Sequence, residues 1–305
     1  MKGKDYVLVL TDQAAYAIQF VGPPFTFSIR QVGSNCGCLG QHAMVYAQGA
    51  VFWMGFGGGF FMFDGTVKQL PSLVEDFVFT TDGNNPGINY DSGQIVFGGI
   101  NELYSEINWF YPTSGSDVVN RVVTYNFDEG VWTTGTLDRS TWVGSTVYEQ
   151  PYATDYNASN TPTFPVVSGV SNGASIYYAH EVGVNQQNGD GTQTAITSFI
   201  KSGEFDLNGR QGVPGDGEFL MSMSRFVPDF KRISGNAKVT IFLNSFPQTT
   251  QASSPLGPFT VNSTTTKVNT RARARFAAVQ IENENLNESW RYGTFRFDVR
   301  PDGRR

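Results

Sequence analysis

The sequence is short of charge, of cysteine, of histidine and of leucine. Charged residues are 16% of 305, against the quarter usual in globular proteins, while aromatics reach 14%. Such a chain can bury enough apolar surface to fold, so disorder is excluded. Two cysteines, Cys36 and Cys38, flank one glycine; neighbours of that kind rarely meet disulfide geometry, and a disulfide scaffold is excluded. A reducing site of synthesis fits. Only His42 and His180 are present, so Cys36, Cys38 and His42 fall one ligand short of a structural zinc site. A Ser-His-Asp arrangement would have only those two histidines to draw on. No metal and no cofactor is expected. Phenylalanine (25) outnumbers leucine (12) about two to one, which excludes an all-α fold. Glycine (34) and proline (14) follow no three-residue period, which excludes collagen.

Long hydrophobic runs are also missing. The most apolar window, residues 49–63, is 15 residues with five glycines, too short to span a bilayer as a helix. The stretch 6–10 is too short for a signal-peptide core and lacks a small-residue cleavage site. Neither secretion by a standard signal nor membrane insertion is expected.

What is present is a succession of short apolar runs between turn clusters. Residues 6–10 and 15–20 read as strands, and 25–32 alternates Phe25, Phe27 and Ile29 with Thr26, Ser28 and Arg30. Residues 50–56, a Gly57-Gly58-Gly59 turn and 60–63 read as a hairpin. Runs at 66–70, 95–97, 106–111, 121–127 and 131–134 continue the pattern, and 150–163 reads as a polar loop. A weak repeat joins Phe63-Asp64-Gly65 to Phe127-Asp128-Glu129-Gly130 with Trp132: strand, Phe-Asp turn with glycine, strand. The 64-residue spacing exceeds a propeller blade of about 40–50, and the loop 80–87 can absorb the excess. Residues 1–183 therefore read as a propeller-like β domain with candidate blade turns at Phe63, Asp64, Gly65, Asp128, Gly130 and Trp132. Residues 184–195 read as a linker or long hairpin. Residues 196–305, with about six strands (196–205, 218–228, 237–244, 259–261, 270–282, 292–299), read as a β-sandwich-like platform domain. The expected class is all-β.

Charge is uneven. Residues 1–200 carry net −11 and residues 201–305 net +5. The split fits two differently solvated domains, or an assembly in which one end of a subunit attracts the other end of a neighbour. The basic excess gathers at Arg271-Ala272-Arg273-Ala274-Arg275, joined by Arg291, Arg296, Arg300, Arg304 and Arg305. On a strand the first three share one face, about 7 Å apart. Three uses are open: phosphate contact, ion pairing with a neighbour, and pairing within the domain to Glu282, Glu284, Glu288 and Asp298. No aromatic signature of a nucleic-acid module accompanies them.

Asn126-Phe127-Asp128-Glu129-Gly130-Val131-Trp132 is close to the Asp-box of sialidase propellers, a folding turn whose Asp bonds backbone amides and whose Trp packs the blade. Carboxylate pairs occur at Asp128-Glu129, Glu75-Asp76 and Glu102 with Glu106, none inside a catalytic signature. Gly-Asp-Gly at 189–191 and 215–217 lacks the alternating carboxylates of a calcium loop and reads as turn.

Several segments in order carry a family resemblance: Leu8-Val9-Leu10-Thr11-Asp12, Val51-Phe52-Trp53-Met54-Gly55, Phe61-Met62-Phe63-Asp64-Gly65, Glu106-Ile107-Asn108-Trp109-Phe110-Tyr111-Pro112, Tyr125-Asn126-Phe127 with Trp132, His180-Glu181-Val182-Gly183, Val227-Pro228-Asp229-Phe230, Gly257-Pro258-Phe259-Thr260-Val261, the Arg271–Arg275 run, and Arg300-Pro301-Asp302-Gly303-Arg304-Arg305. The chain resembles tail nozzle, or packaged-DNA stabilisation, proteins of short-tailed bacteriophages over nearly its whole length. The resemblance implies a structural virion protein made in the host cytoplasm. Its expected form is a homohexameric ring with a propeller-like domain and β-rich platform, through which double-stranded DNA is retained and ejected. Its implied partners are further copies, the tail adaptor and fibre or spike proteins. It implies no catalytic residues, so the chain is expected not to be an enzyme. Members of that family carry more β-rich sequence ahead of the Leu-Thr-Asp segment. The propeller here is therefore expected to be incomplete and closed by another polypeptide, or the chain to be the C-terminal part of a longer one. On this reading Arg271, Arg273, Arg275, Arg291, Arg296 and Arg300 are candidate subunit-interface residues. The alternative is a glycan-binding or glycan-cleaving β-propeller, a phage receptor-binding protein, with Asp128 and Glu106 as the carboxylates to test. A third reading has Arg271, Arg273 and Arg275 contact DNA.

Overall fold

Runs of aromatic and β-branched residues between glycine turns fold almost entirely as strands, joined to their neighbours in small sheets. The structure, a computed structural model, describes residues 6–83, 85–145, 148–157, 174–187, 191–207, 217–246 and 254–304. The class is all-β, of the propeller and sandwich kind. The helices among the described residues are one α-helical turn at Glu75–Phe79 and a 3-10 segment at Tyr90–Ile95. No helix among them is long and apolar enough to cross a membrane. The chain divides into two units, Met1–Val182 and Gly183–Arg305.

The first unit is built of antiparallel sheets that follow one another along the chain. The first holds β1 (Val7–Leu10), β2 (Ala14–Phe20) and β3 (Phe27–Ser34). The second holds β4 (Met44–Ala47), β5 (Ala50–Met54), β6 (Phe60–Phe63) and β7 (Val67–Gln69). The third holds β8 (Phe97–Asn101), β9 (Glu106–Tyr111), β10 (Arg121–Asn126) and β11 (Val131–Thr136). The fourth holds β12 (Thr141–Val143), β13 (Tyr152–Asn157) and β14 (Ala174–Ala179). Strand alternation tells which face meets which sheet. On β5, Val51 and Trp53 join Leu8 and Ala15 of the first sheet in one core. Phe52 and Met54 turn the other way, into a second core with Ile107, Trp109, Tyr111 and Val123 of the third sheet. On β9, Phe110 faces back across to Trp142 of β12, ring centroids 5.4 Å apart. The glycine pair in β8 permits this double contact. A Cβ on Gly98 would meet Val45 Cγ2 at 2.3 Å, and one on Gly99 would meet Trp142 Cδ1 at 2.4 Å.

The stack ends in uncovered apolar faces. In the first sheet Leu8, Ala15 and Ala17 are buried, so the opposite face carries Val7, Val9, Ile18, Phe20, Phe27 and Ile29. Phe20, Phe27 and Ile29 are 66%, 62% and 67% exposed. In the fourth sheet Trp142, Ala153 and Tyr178 point inward. Val143, Tyr152 and Tyr177 point out, with Tyr152 and Tyr177 stacked at 5.1 Å.

The second unit opens with a hairpin of β15 (Asn185–Gln187) and β16 (Gln193–Ala195); its tip, 188–190, lies outside the described residues. Then come β17 (Ser198–Lys201), β18 (Phe219–Val227), β19 (Phe230–Ser234), β20 (Ala237–Asn244), β21 (Ser254–Val261), β22 (Val268–Ala274), β23 (Phe276–Asn283), β24 (Ser289–Tyr292) and β25 (Arg296–Arg304). A sheet of order β17-β23-β20-β21 and a sheet of order β22-β18-β25 share one core, Val239, Ile241 and Ile281 against Met221, Met223 and Phe226. That is a sandwich. The two-stranded ribbon β19-β24 accompanies it.

Several expected elements differ. Residues 270–282 are two strands, because the chain turns at Arg275, whose amide donates to Asn244 O at 3.2 Å. The expected strand at 95–97 begins only at Phe97, after the 3-10 segment. Residues 152–157, expected as loop, form β13, paired along its whole length to β14. The remainder of that expected loop, from 158, lies outside the described residues, as do Asp190, Asp216 and Arg305.

Candidate functional site

The repeated Phe-Asp turns occupy matching places: each joins the third and fourth strands of a four-stranded sheet, β6 to β7 and β10 to β11. Their chemistry differs. Asp64 Oδ1 accepts from the Thr66 amide and hydroxyl, and Oδ2 pairs with Lys68 at 2.6 Å, while Gly65 takes φ +126°. In the second turn Asn126, not Asp128, does the bonding. Its Oδ1 accepts from the amides of Asp128 (3.1 Å) and Glu129 (2.9 Å), and Gly130 takes φ +69°. Trp132 packs on Phe60 at 4.4 Å and donates its indole N–H to Pro71 O. Phe63 is buried against Tyr6 at 5.1 Å. These residues shape sheets, and Asp128 and Glu129 stand exposed on a turn.

The carboxylates that do meet are Glu106 and Glu181. Both approach Asn101, whose Nδ2 lies 3.4 Å from Glu106 Oε2 and 3.0 Å from Glu181 Oε1. Asn101 is 1% exposed, and its Oδ1 has no donor. Glu102, the partner expected for Glu106, instead accepts from the Ser145 amide and hydroxyl. Loss of solvent raises the Glu106 carboxyl above its ordinary range, the Glu181 charge raises it further, and Asn101 opposes. Glu181 is raised by loss of solvent, again with Asn101 opposing. By solvent exposure Glu106 is partly covered and Glu181 stands at the surface, and both carboxyls are raised. Glu181 also sits at φ +61°, in the left-handed region that non-glycine residues rarely adopt. Raised carboxyl pKa values contribute stability that is complete at low pH and lost as pH rises through them.

Beside this pair, Arg139 anchors a second group. Its Nε donates to His180 Nε2 at 3.0 Å and its guanidinium lies 3.8 Å from the Tyr178 ring centre. Burial, then the Arg139 charge, hold His180 down to about 4, so at neutral pH the imidazole is the acceptor. Asp155 is buried nearby, raised by burial and lowered by Arg139. An open hollow of about 620 Å³ lies between Gln41, His42, Gln94, Phe97 and Ser140, and none of these carboxylates lines it. The Cys36-Gly-Cys38 motif is a packing device. Cys36 is buried, the Cys38 thiol is pushed up to about 11 by burial, and the Trp53 indole donates to Cys36 O. Among the described residues no group of three or more His, Cys, Asp and Glu side chains could hold a metal.

The arginines do not act as one patch. Arg271 and Arg273 are exposed on β22, alternating with buried Ala272 and Ala274. Arg275 turns away and donates to the carbonyls of Gly217 (2.5 Å) and Glu218 (3.1 Å). Arg273 pairs with Asp302 (2.6 Å), Arg296 with Asp229 (3.4 Å) and Arg225 with Asp298 (3.0 Å). Of the acids expected to pair with this run, Asp298 takes Arg225, Glu284 takes Lys238, and Glu288 accepts from the Glu284 and Asn285 amides. Arg291, exposed on β24, lies opposite Arg232. Arg300 is exposed on β25.

No protein-family model matches the sequence, and no curated protein matches it. Among solved structures the chain is similar to a glycoside hydrolase, at 7% identity and a TM-score of 0.26, over 98% of this chain and 82% of that one. It is also similar to an exo-β-1,3-galactanase from Phanerochaete chrysosporium (12%, TM-score 0.15, 95% and 67%). A third is a glycoside hydrolase family 43 arabinoxylan arabinofuranohydrolase from Bacillus subtilis (9%, TM-score 0.18, 98% and 96%). All three are glycoside hydrolases, and with that finding the expectation that this chain is not an enzyme is withdrawn. At these TM-scores the likeness brings no substrate and no residue role to it.

Sequence reasoning missed Glu181, Asn101, Arg139 and Asp155. Asn101 and Glu181 are 80 residues apart, and no spacing rule links them.

Proposed function

We propose that the protein is a building block of a short phage tail: a subunit of the nozzle ring around double-stranded DNA, in contact with further copies, the adaptor and fibre or spike proteins. One observation carries this reading beyond the sequence resemblance. On one face of the first sheet Val7, Val9, Phe20, Phe27 and Ile29 are exposed to solvent around a half-buried Ile18. The second and third sheets of the unit bury faces of this composition against each other. A contiguous exposed apolar surface of that kind marks a place where another protein sits. The expected result is that the purified chain forms a closed oligomer by light scattering and rings by negative-stain microscopy. Phe27→Asp with Ile29→Asp should leave a folded monomer, unchanged in circular dichroism. A wild-type chain that stays monomeric at high concentration would count decisively against the reading.

A second reading, a glycan-binding or glycan-cleaving propeller, is favoured by the Glu106–Glu181 pair. A carboxyl that keeps its proton can donate it to a glycosidic oxygen, and an ionised neighbour can stabilise the developing positive charge. On this reading glycan arrays give specific binding, and Glu106→Gln abolishes any hydrolysis while the fold persists. Arrays and reducing-sugar assays that both stay blank would end it.

A further inference from the structure

The outer face of the β22-β18-β25 sheet is mixed in charge, with an unspent positive remainder. Alternation turns Met221, Met223, Ala272 and Ala274 inward and leaves Ser222, Arg271, Arg273 and Arg300 outside. Ser222 of the middle strand stands opposite Arg273 on one side and Arg300 on the other. Arg273 is committed to Asp302, and Arg225 to Asp298. Arg271 and Arg300 have no partner among the described residues. A shallow hollow of about 250 Å³ runs between Ser222, Ser224, Thr270, Arg271, Arg273 and Asp302.

The opposite sign is found on the other unit of the same chain. Residues 1–182 carry net −10 and residues 183–305 net +4. On the first unit, exposed Asp91 of the 3-10 segment and exposed Asp117 of the connection before β10 are tied into one surface. Asn89 Nδ2 donates to Ser116 O at 2.9 Å, the Asn89 amide to Pro112 O at 2.9 Å, and the Ser92 hydroxyl reaches Asp117 at 3.5 Å. Arg121, at the start of β10, is already engaged with Asn85 Oδ1 and the Phe77 ring.

We infer that the Arg271–Ser222–Arg300 face docks on the Asp91–Asp117 surface of a second copy. This is a heterologous contact, one patch meeting a different patch, as ring closure requires, and it deepens the assembly reading, on which it rests. Guanidinium forks and a serine hydroxyl between them suit carboxylates and loop carbonyls. A nucleic acid suits this face less well: its phosphates would run into Asp298 and Asp302, and the chain as a whole is at net −6.

The test uses the full chain in sedimentation velocity at about 50 and 500 mM salt, where charge contacts between exposed groups are respectively weakly and strongly screened. Arg271→Glu with Arg300→Glu, and separately Asp91→Lys with Asp117→Lys, should each weaken association by about tenfold or more at low salt. The four changes together should restore it. Circular dichroism and the melting temperature confirm that each variant folds. If the wild type is monomeric throughout, the assembly reading fails and takes this contact with it. If the wild type assembles and the charge reversals assemble equally well, the contact is wrong and the assembly reading stands. Loss of association without rescue, together with loss of duplex DNA binding in the arginine variant, would make the face a nucleic-acid surface and overturn the proposal.

Discussion

Replacing Trp109 by alanine is expected to destabilise the protein by about 3–5 kcal/mol, the range for a large buried aromatic cut to a methyl group. Trp109 is fully buried at the centre of β9. Its ring lies 5.1 Å from Phe60 and stacks on Trp132 at 6.1 Å, so it joins the second and third sheets. Its indole donates to Ala43 O at 3.1 Å. The variant therefore loses ring contacts on two sides and leaves a cavity between sheets that cannot close without pressing Gly98 further onto Val45. Urea unfolding followed by far-ultraviolet circular dichroism measures this directly. A loss below about 1 kcal/mol would mean that the two sheets do not share the core described here.

Gly37→Ala should cost about 3 kcal/mol, at or above the upper end of the usual overpacking penalty. A Cβ at this position would stand 1.8 Å from Asp12 O, 2.0 Å from Asp12 C and 2.5 Å from the Gln13 amide nitrogen. All three are backbone atoms, so no side chain can swing aside. The segment is also held in place: the Cys36 amide donates to Gln13 O at 3.1 Å, and the Cys38 amide to Thr11 O at 2.8 Å. Gly57, with nothing near its missing Cβ, provides the control, and Gly57→Ala should be close to neutral. Equal effects of the two substitutions in the same urea experiment would refute the packing account. On this account the Cys-Gly-Cys motif is there for its glycine, and the thiols fill space.

Local patterns were readable and long-range ones were not. The period-two run through Phe27 and Ile29 marks a strand in the sequence, and β3 is that strand. The pattern does not reveal that this face is left uncovered, because a strand's alternation is the same whether or not a partner sheet is present. The two Phe-Asp turns announce equivalent strand pairs because turn chemistry is local. Asn126 takes the bonding role expected of Asp128 because its side chain, two residues earlier, reaches the amides of both Asp128 and Glu129. At 270–282 the residues read as one long strand, and the break at Arg275 depends on contacts to Asn244 and Gly217 from elsewhere in the sandwich. The Glu106–Glu181 pair was hidden for the same reason. It forms only when the turn after β14 returns to the third sheet, which proximity in sequence favours less than the false pair Glu102–Glu106.

Strand order sets the two units apart in how they can be made. In the first unit each sheet pairs strands that are consecutive in the chain, so every sheet can close soon after its own residues leave the ribosome. In the second, Ser198 finds its partner only at Asn283, and β18 must await both β22 and β25. Translation therefore delivers a zipped first half ahead of a slower-closing second half in which β17, β18 and β19 stay unpaired until most of it has been synthesised, the interval in which a chaperone has most to protect.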